Sequence, residues 1–224
     1  MIQQLFKSDP FERDRWAMVE NQLRRRGIHD EKLLQVMAEV PRHEFIPEAY
    51  RKDAYEDRPV PIGEEQTISQ PYIVAAMISA LQITTESKVL EVGTGTGYQA
   101  AILSRLAAQV FTVERHSTLA AEAQRVFQRL GYSNITVILG DGGRGLPEYA
   151  PYDRVIVAAA APTIPEPLLL QLDEGGRMII PVGSPDIQVL RLVRKSQGEF
   201  FTSDLEGCRF VPLLGEGGFP PRNF

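Results

Sequence analysis

Cysteine is nearly absent from this chain of 224 residues: Cys208 is the only one. One thiol makes neither an internal disulfide framework nor a cysteine-based zinc site. Its flanks, Glu206-Gly207 and Arg209-Phe210-Val211, read as a late strand, which gives Cys208 a structural role. No apolar run approaches the roughly 20 residues that span a bilayer. The start, Met1-Ile2-Gln3-Gln4-Leu5, lacks the charged opening and apolar core of a secretory leader. A soluble, cytoplasmic protein with no membrane partner is expected. An excess of positive charge is also missing. The formal net charge is −5, and the one basic run, Arg24-Arg25-Arg26, falls where a helix would end and cations suit its dipole. Nucleic acid is therefore not expected as a partner. Internal repeats and low-complexity tracts are missing too, so the chain is long enough for one sizeable core, with a monomer expected.

What is present divides into two parts, 1–82 and 83–224. In the first, Trp16, Val19 and Leu23 recur at helical spacing, with Gly27 as the stop. Asp30 offers a helix cap, Leu33, Val36, Met37 and Val40 an apolar face, and Pro41 an end. Residues 41–70 carry prolines at 41, 47, 59 and 61 and little periodicity, and read as an irregular but ordered segment. Pro71 then opens a helix running to Leu81.

From Lys88 the pattern alternates. Strands are expected at 88–92, 110–113, 135–139, 154–158 and 177–180. Helices are expected at 98–107, 117–130 and 166–172. Such alternation implies an α/β fold, a Rossmann-like doubly wound, mostly parallel sheet with helices on both faces. Two more strands, 188–194 and 209–213, have no helix between them and suggest an antiparallel addition at the sheet edge.

The chemistry gathers at strand ends. The first strand runs into Glu91-Val92-Gly93-Thr94-Gly95-Thr96-Gly97-Tyr98 before a helix. In open α/β sheets, ligands bind beyond the carboxyl ends of strands. The spacing is G-x-G-x-G, with Tyr98 where the dinucleotide fingerprint has its third glycine. Alone, this is also compatible with a plain tight turn. Glu114 ends the next strand, 21 positions after Gly93. An acid at that distance suits a ribose diol, although a solvated surface acid would look the same. Asp141-Gly142 ends the third strand and could accept from an exocyclic amine, or serve only as a turn. The three together point to a nucleotide-like cofactor.

The stretch Val89–Gly97 resembles the cofactor signature of class I methyltransferases. The whole chain, from about residue 15 to 214, resembles the protein-L-isoaspartate O-methyltransferase family. The specific block is Gln66-Thr67-Ile68-Ser69-Gln70-Pro71. Further matching blocks are Asp141–Leu146, Tyr152–Val157, Gly175–Gly183 and Arg209–Leu213. Two positions depart: Glu64-Glu65 stands where the family has His-Gly or Tyr-Gly, and Ala158 where it often has Thr or Gly. The resemblance implies S-adenosyl-L-methionine as cofactor, S-adenosyl-L-homocysteine as product, and isoaspartyl-containing proteins and peptides as partners. It implies a cofactor site at Glu91, Gly93, Thr94, Gly95, Gly97, Glu114, Asp141 and Gly142. It implies substrate contacts at Thr67, Ile68, Ser69, Val211 and Leu213, with Ser69 as the residue that holds the reacting carboxylate.

Overall fold

A computed structural model describes residues 9–220; the stretch Met1–Leu5, read above as no secretory leader, lies outside them. Helix α1 (Glu12–Met18) runs into a wide π turn at Val19–Leu23 and a 3-10 turn at Arg24–Arg26. Gly27 stops it with φ at 94°, a left-handed angle that costs glycine nothing. The basic run does sit in this last turn. Trp16, read from its spacing as a core residue, is 41% exposed, whereas Arg15, Val19 and Leu23 turn inward. The π turn is the reason: its extra residue lets positions 15, 19 and 23 align at four-residue steps. Arg15 is satisfied inside by the Ala38 carbonyl at 2.8 Å and by Asp9.

Asp30 caps α2 (Glu31–Glu39), accepting from the Leu33 amide at 3.0 Å. Such a cap is worth about 1 kcal/mol. The segment after it is ordered but less irregular than its prolines suggest. Two 3-10 stretches (Arg42–Phe45 and Glu48–Asp53) precede a small hairpin of β1 (Val60–Gly63) and β2 (Gln66–Ile68). Its turn is Glu64-Glu65, with φ of 50° and 56°. Both central residues of a tight hairpin turn need positive φ, a demand normally met by Gly or Asn. That is why the residue types gave no turn signal. Helix α3 (Pro71–Leu81) follows, with proline in its first turn as expected.

The remaining elements are β3 (Lys88–Val92), α4 (Tyr98–Leu106), β4 (Gln109–Glu114), α5 (Ser117–Leu130), β5 (Ile135–Leu139), β6 (Tyr152–Val157), α6 (Glu166–Leu170), β7 (Leu172–Gly183), β8 (Gln188–Ser196) and β9 (Glu199–Cys208). The sheet order is β5-β4-β3-β6-β7-β8-β9. The first five of these are parallel, and β8 and β9 add antiparallel at the edge. The late strand was misread in one respect. Arg209–Leu213 is not a sheet strand, and β9 lies just before it. β9 is exposed along nearly its whole length and so shows no apolar alternation. The apolar run Phe210–Leu213 is instead drawn under the sheet's rim, where Pro212 bridges to Ala160.

Side chains alternate across each strand. Val89, Val110, Ile156 and Ile179 face a cluster built with α1 to α5. Leu90, Phe111, Val155, Val157, Met178 and Ile180 face the other side. There the cover is thin: α6, through Leu168, and the segments carrying Leu146 and Leu213. Residues on both sides of position 82 share the first cluster. Among the described residues no helix is long and apolar enough to cross a membrane.

Candidate active site

β3 lies between β4, the next strand in sequence, and β6. The chain therefore winds away from β3 in both directions, which opens a crevice at its carboxyl end. The glycine loop fills that position. Gly93 has φ of 93°, and a Cβ there would lie 3.5 Å from that of Ala158, at the end of neighbouring β6. The backbone is held from both sides: Gly93 N donates to Val113 O at 2.9 Å, and Ala158 N to Val92 O at 2.8 Å. Gly97 N-caps α4.

Glu114 faces this loop. Its Oε2 accepts from Gly95 N at 2.9 Å, and its Oε1 from Arg115 N at 2.9 Å and His116 N at 3.0 Å. A carboxylate has about four acceptor positions, so capacity remains for a hydroxyl. Glu91 lies deeper, fully buried. Its Oε2 accepts from Thr112 Oγ1 at 2.6 Å, and Oε1 has no protein partner. Burial pushes its carboxyl up to about 8, against the pull of the Thr112 hydroxyl and of the nearby Gln99 side chain.

A narrow cavity of about 100 Å³ runs along the loop. Gly93, Thr94, Gly95, Glu114 and Gly142 line it, together with Ile68, Ser69, Val211 and Leu213. Glu91 and Gly97 stand behind it, supporting the loop rather than lining the space. Asp141 faces a separate shallow pocket. Its Oδ1 accepts from Gly143 N at 2.9 Å and its Oδ2 from Glu216 N at 3.0 Å. It thereby ties the C-terminal stretch to the rim beside Gly142.

A wider groove of about 910 Å³ adjoins the cavity. Thr67, Ser69, Val211 and Pro212 line both spaces. Ser69 follows β2 directly and precedes α3, so the hairpin and the helix start together carry it over the glycine loop. No histidine serves it as a base. His43 Nδ1 pairs with the Tyr55 hydroxyl at 2.7 Å, and His116 Nδ1 lies 3.6 Å from Glu64. Glu64 does not turn its charge into the groove: it also accepts from Thr118 Oγ1 at 2.6 Å, at the start of α5. Glu65 and Cys208 do line the groove. Burial pushes the Cys208 thiol up to about 11, so it stays protonated.

Several lining residues were given no site role from sequence: Ile62, Gln66, Thr96, Gln99, Arg115, His116 and Ala159. The Thr96 hydroxyl and the Gln99 amide nitrogen are buried without a well-formed protein hydrogen bond, the Gln99 side chain lying close to the Glu91 carboxyl. Unpaired buried polar groups cost about 1–3 kcal/mol each unless a ligand or water satisfies them. They fit a cofactor with a polar amino-acid end, and Glu114 fits its ribose. Gln99 lies in the first turn of α4, a position that the strand–loop–helix pattern could have flagged.

A glycine loop after the first sheet strand, an acid ending the second and a cavity at the switch point define a class I methyltransferase fold. Residues 13–218 match the family Protein-L-isoaspartate(D-aspartate) O-methyltransferase. The chain is 57% identical over 211 residues to the protein-L-isoaspartate O-methyltransferase of Koribacter versatilis, covering 94% of this chain and 95% of that one. It is 50% identical over 213 residues to that of Methanoculleus marisnigri, covering 95% and 97%. A solved protein-L-isoaspartate O-methyltransferase superposes with a TM-score of 0.82 at 31% identity, over 92% of this chain and 67% of the other. The Plasmodium falciparum beta-aspartate methyltransferase, in complex with S-adenosyl-L-homocysteine, superposes with a TM-score of 0.77 at 27% identity, over 89% and 98%. The chain belongs to the protein-L-isoaspartate O-methyltransferase family.

Proposed function

We infer that the narrow cavity takes S-adenosyl-L-methionine and the adjoining groove takes an isoaspartyl segment, with Ser69 at their junction. The chain methylates the free α-carboxylate of L-isoaspartyl residues in damaged proteins, the first step of their repair. The observation that carries the geometric reading is that Ser69 lines both spaces.

A free carboxylate has an ordinary pKa near 3.5–4 and is anionic at neutral pH. The protein therefore needs no general base, in keeping with the histidines' other engagements. S-adenosyl-L-methionine supplies, when bound, an electrophilic methyl on a sulfonium leaving group. The chain's task is alignment, which can lower a barrier by about 7–11 kcal/mol. On this reading residues 83–224 hold the cofactor: Glu114 takes the ribose hydroxyls, Gly93 to Gly97 give close backbone approach, and Thr96 and Gln99 take the amino-acid end. Glu91 sits under the loop, and Asp141 with Gly142 closes the adenine side. Residues 1–82 supply the substrate side, through Thr67, Ile68 and Ser69, with Val211 and Leu213 completing the wall. The Ser69 hydroxyl holds the carboxylate oxygen in line and attacks nothing. A monomer working in the cytoplasm belongs to the same reading.

Labelled methyl transfer to an isoaspartyl peptide and to its normal aspartyl twin tests it. Only the isoaspartyl peptide should accept the label, and S69A should lose most of this transfer while S-adenosyl-L-homocysteine affinity stays near that of the wild type. Equal labelling of both peptides, or parallel loss of turnover and cofactor affinity in S69A, would refute the assignment.

A further inference from the structure

Among the described residues, Arg42 is the one arginine that is completely buried. Removing a guanidinium from water costs several kcal/mol unless a partner compensates. Yet among the described residues no carboxylate lies within ion-pair distance of it. Asp57, the carboxylate whose charge does reach it, is occupied by the Tyr72 amide at 3.0 Å and by Arg26 at 2.5 Å. Arg42 instead donates from Nε to the Ala54 carbonyl and from Nη2 to the Ser69 carbonyl, each at 2.8 Å. Its guanidinium carbon lies 4.7 Å from the centroid of Tyr98, the first residue of α4. Nη1 has no hydrogen-bond partner. Arginine stays charged even in such a place, so a lone positive charge sits directly behind Ser69.

The bond to Ser69 also sets a direction. The peptide unit is planar, and its N–H points opposite to its C=O. With the Ser69 carbonyl aimed at Arg42, the Ser69–Gln70 peptide turns its N–H end away from the guanidinium. Both Ser69 and Gln70 line the groove.

We propose that Arg42 is the positioning residue that makes the Ser69 site select an ionised carboxylate, by fixing the Ser69 peptide and by placing an uncompensated positive charge behind it. This rests on the reading of Ser69 given above. The charge acts mainly on the bound ground state. The substrate oxygen is anionic on arrival and loses its charge as the methyl transfers, so a fixed cation strengthens substrate binding and does not speed transfer from the bound state. The cation has no charge to hold on the neutral ester once formed, which aids release.

The prediction is a split between KM and kcat. R42Q keeps amide donors but removes the charge; R42K keeps the charge. R42Q should raise the KM for an isoaspartyl peptide by about tenfold or more, the loss expected for one charged interaction. Its kcat should not fall, and its affinity for S-adenosyl-L-homocysteine by calorimetry should stay within about twofold. R42K should keep most of the wild-type KM. A fall in kcat with unchanged KM, or equal defects in R42Q and R42K, would assign Arg42 to packing alone. A second measurement needs no variant: the α-carboxamide analogue of the same peptide should inhibit the wild type about tenfold more weakly than the carboxylate competes. Equal binding of the two overturns the proposal even if R42Q does not fold. Failure of the wild type to methylate the isoaspartyl peptide at all would instead bring down the functional reading beneath it.

Discussion

Replacing Glu91 with glutamine isolates the energetic effect of one buried carboxyl. Glu91 is fully buried, and its carboxyl is displaced upward by burial from 4.5 to about 8. In the unfolded chain the same group titrates at its ordinary value. Between roughly pH 4.5 and 8 the folded state therefore holds a proton that the unfolded state has lost. Stability must then fall as pH rises through that window, and level off above it. At about 1.4 kcal/mol per pH unit, the displacement corresponds to about 5 kcal/mol across the window. For a chain of this size 1 kcal/mol moves Tm by about 2–4 °C, so the difference reaches about 10 °C or more. E91Q keeps an oxygen for the Thr112 hydroxyl and carries no proton to lose. Thermal unfolding of cofactor-free wild type and E91Q should be followed from pH 5 to 9. The two Tm values should diverge steadily with pH, with E91Q the more stable at the alkaline end. All other titrating groups are common to both proteins and cancel in the difference. A constant gap across the series would show that Glu91 is solvated or paired with a cation, and the argument would fail.

Two further outcomes follow from the rim of the cavity and the hairpin. E114A removes the acceptor of three backbone amides as well as the ribose contact proposed for it, each charged hydrogen bond being worth about 1.5–3 kcal/mol; calorimetry should show a larger loss of S-adenosyl-L-homocysteine affinity than in D141A. D141A should in addition free the stretch around Glu216 and speed its proteolysis, and unchanged cofactor affinity in both variants would remove these acids from the site. E65G relieves a residue at φ of 56°, a conformation costing a side-chain-bearing residue about 1–2 kcal/mol; Tm should rise by a few degrees, and a fall would mean that the Glu65 side chain contributes more than its backbone costs.

Glu64 and Glu65 illustrate how a local departure is absorbed by the fold. Adjacent acids near a carboxylate-binding groove would oppose the substrate if both faced it. The hairpin turn separates them. Glu64 reaches across to Thr118 and His116, on the cofactor side, while Glu65 remains at the groove. The link lies over the glycine loop, where Ile62 Cδ1 would stand 3.4 Å from a Cβ on Gly95.

The sequence by itself determined the alternating strands and helices from Lys88 onward, the Asp30 cap, the glycine loop and the acids at the ends of β3, β4 and β5. These are local matters: periodicity, turn chemistry and the position of a residue at a strand's end depend on near neighbours in the chain. It also carried the family motif around Ser69. Tertiary structure alone decided what each of these meets. It set Ser69 over the glycine loop from a separate part of the chain, left Asp141 to the C-terminal stretch, and buried Arg42 unpaired behind Ser69. It made a strand of solvent-facing β9 and withheld one from apolar Arg209–Leu213. Burial and partnership are properties of surfaces brought together from distant positions, and spacing along the chain does not record which surfaces those will be.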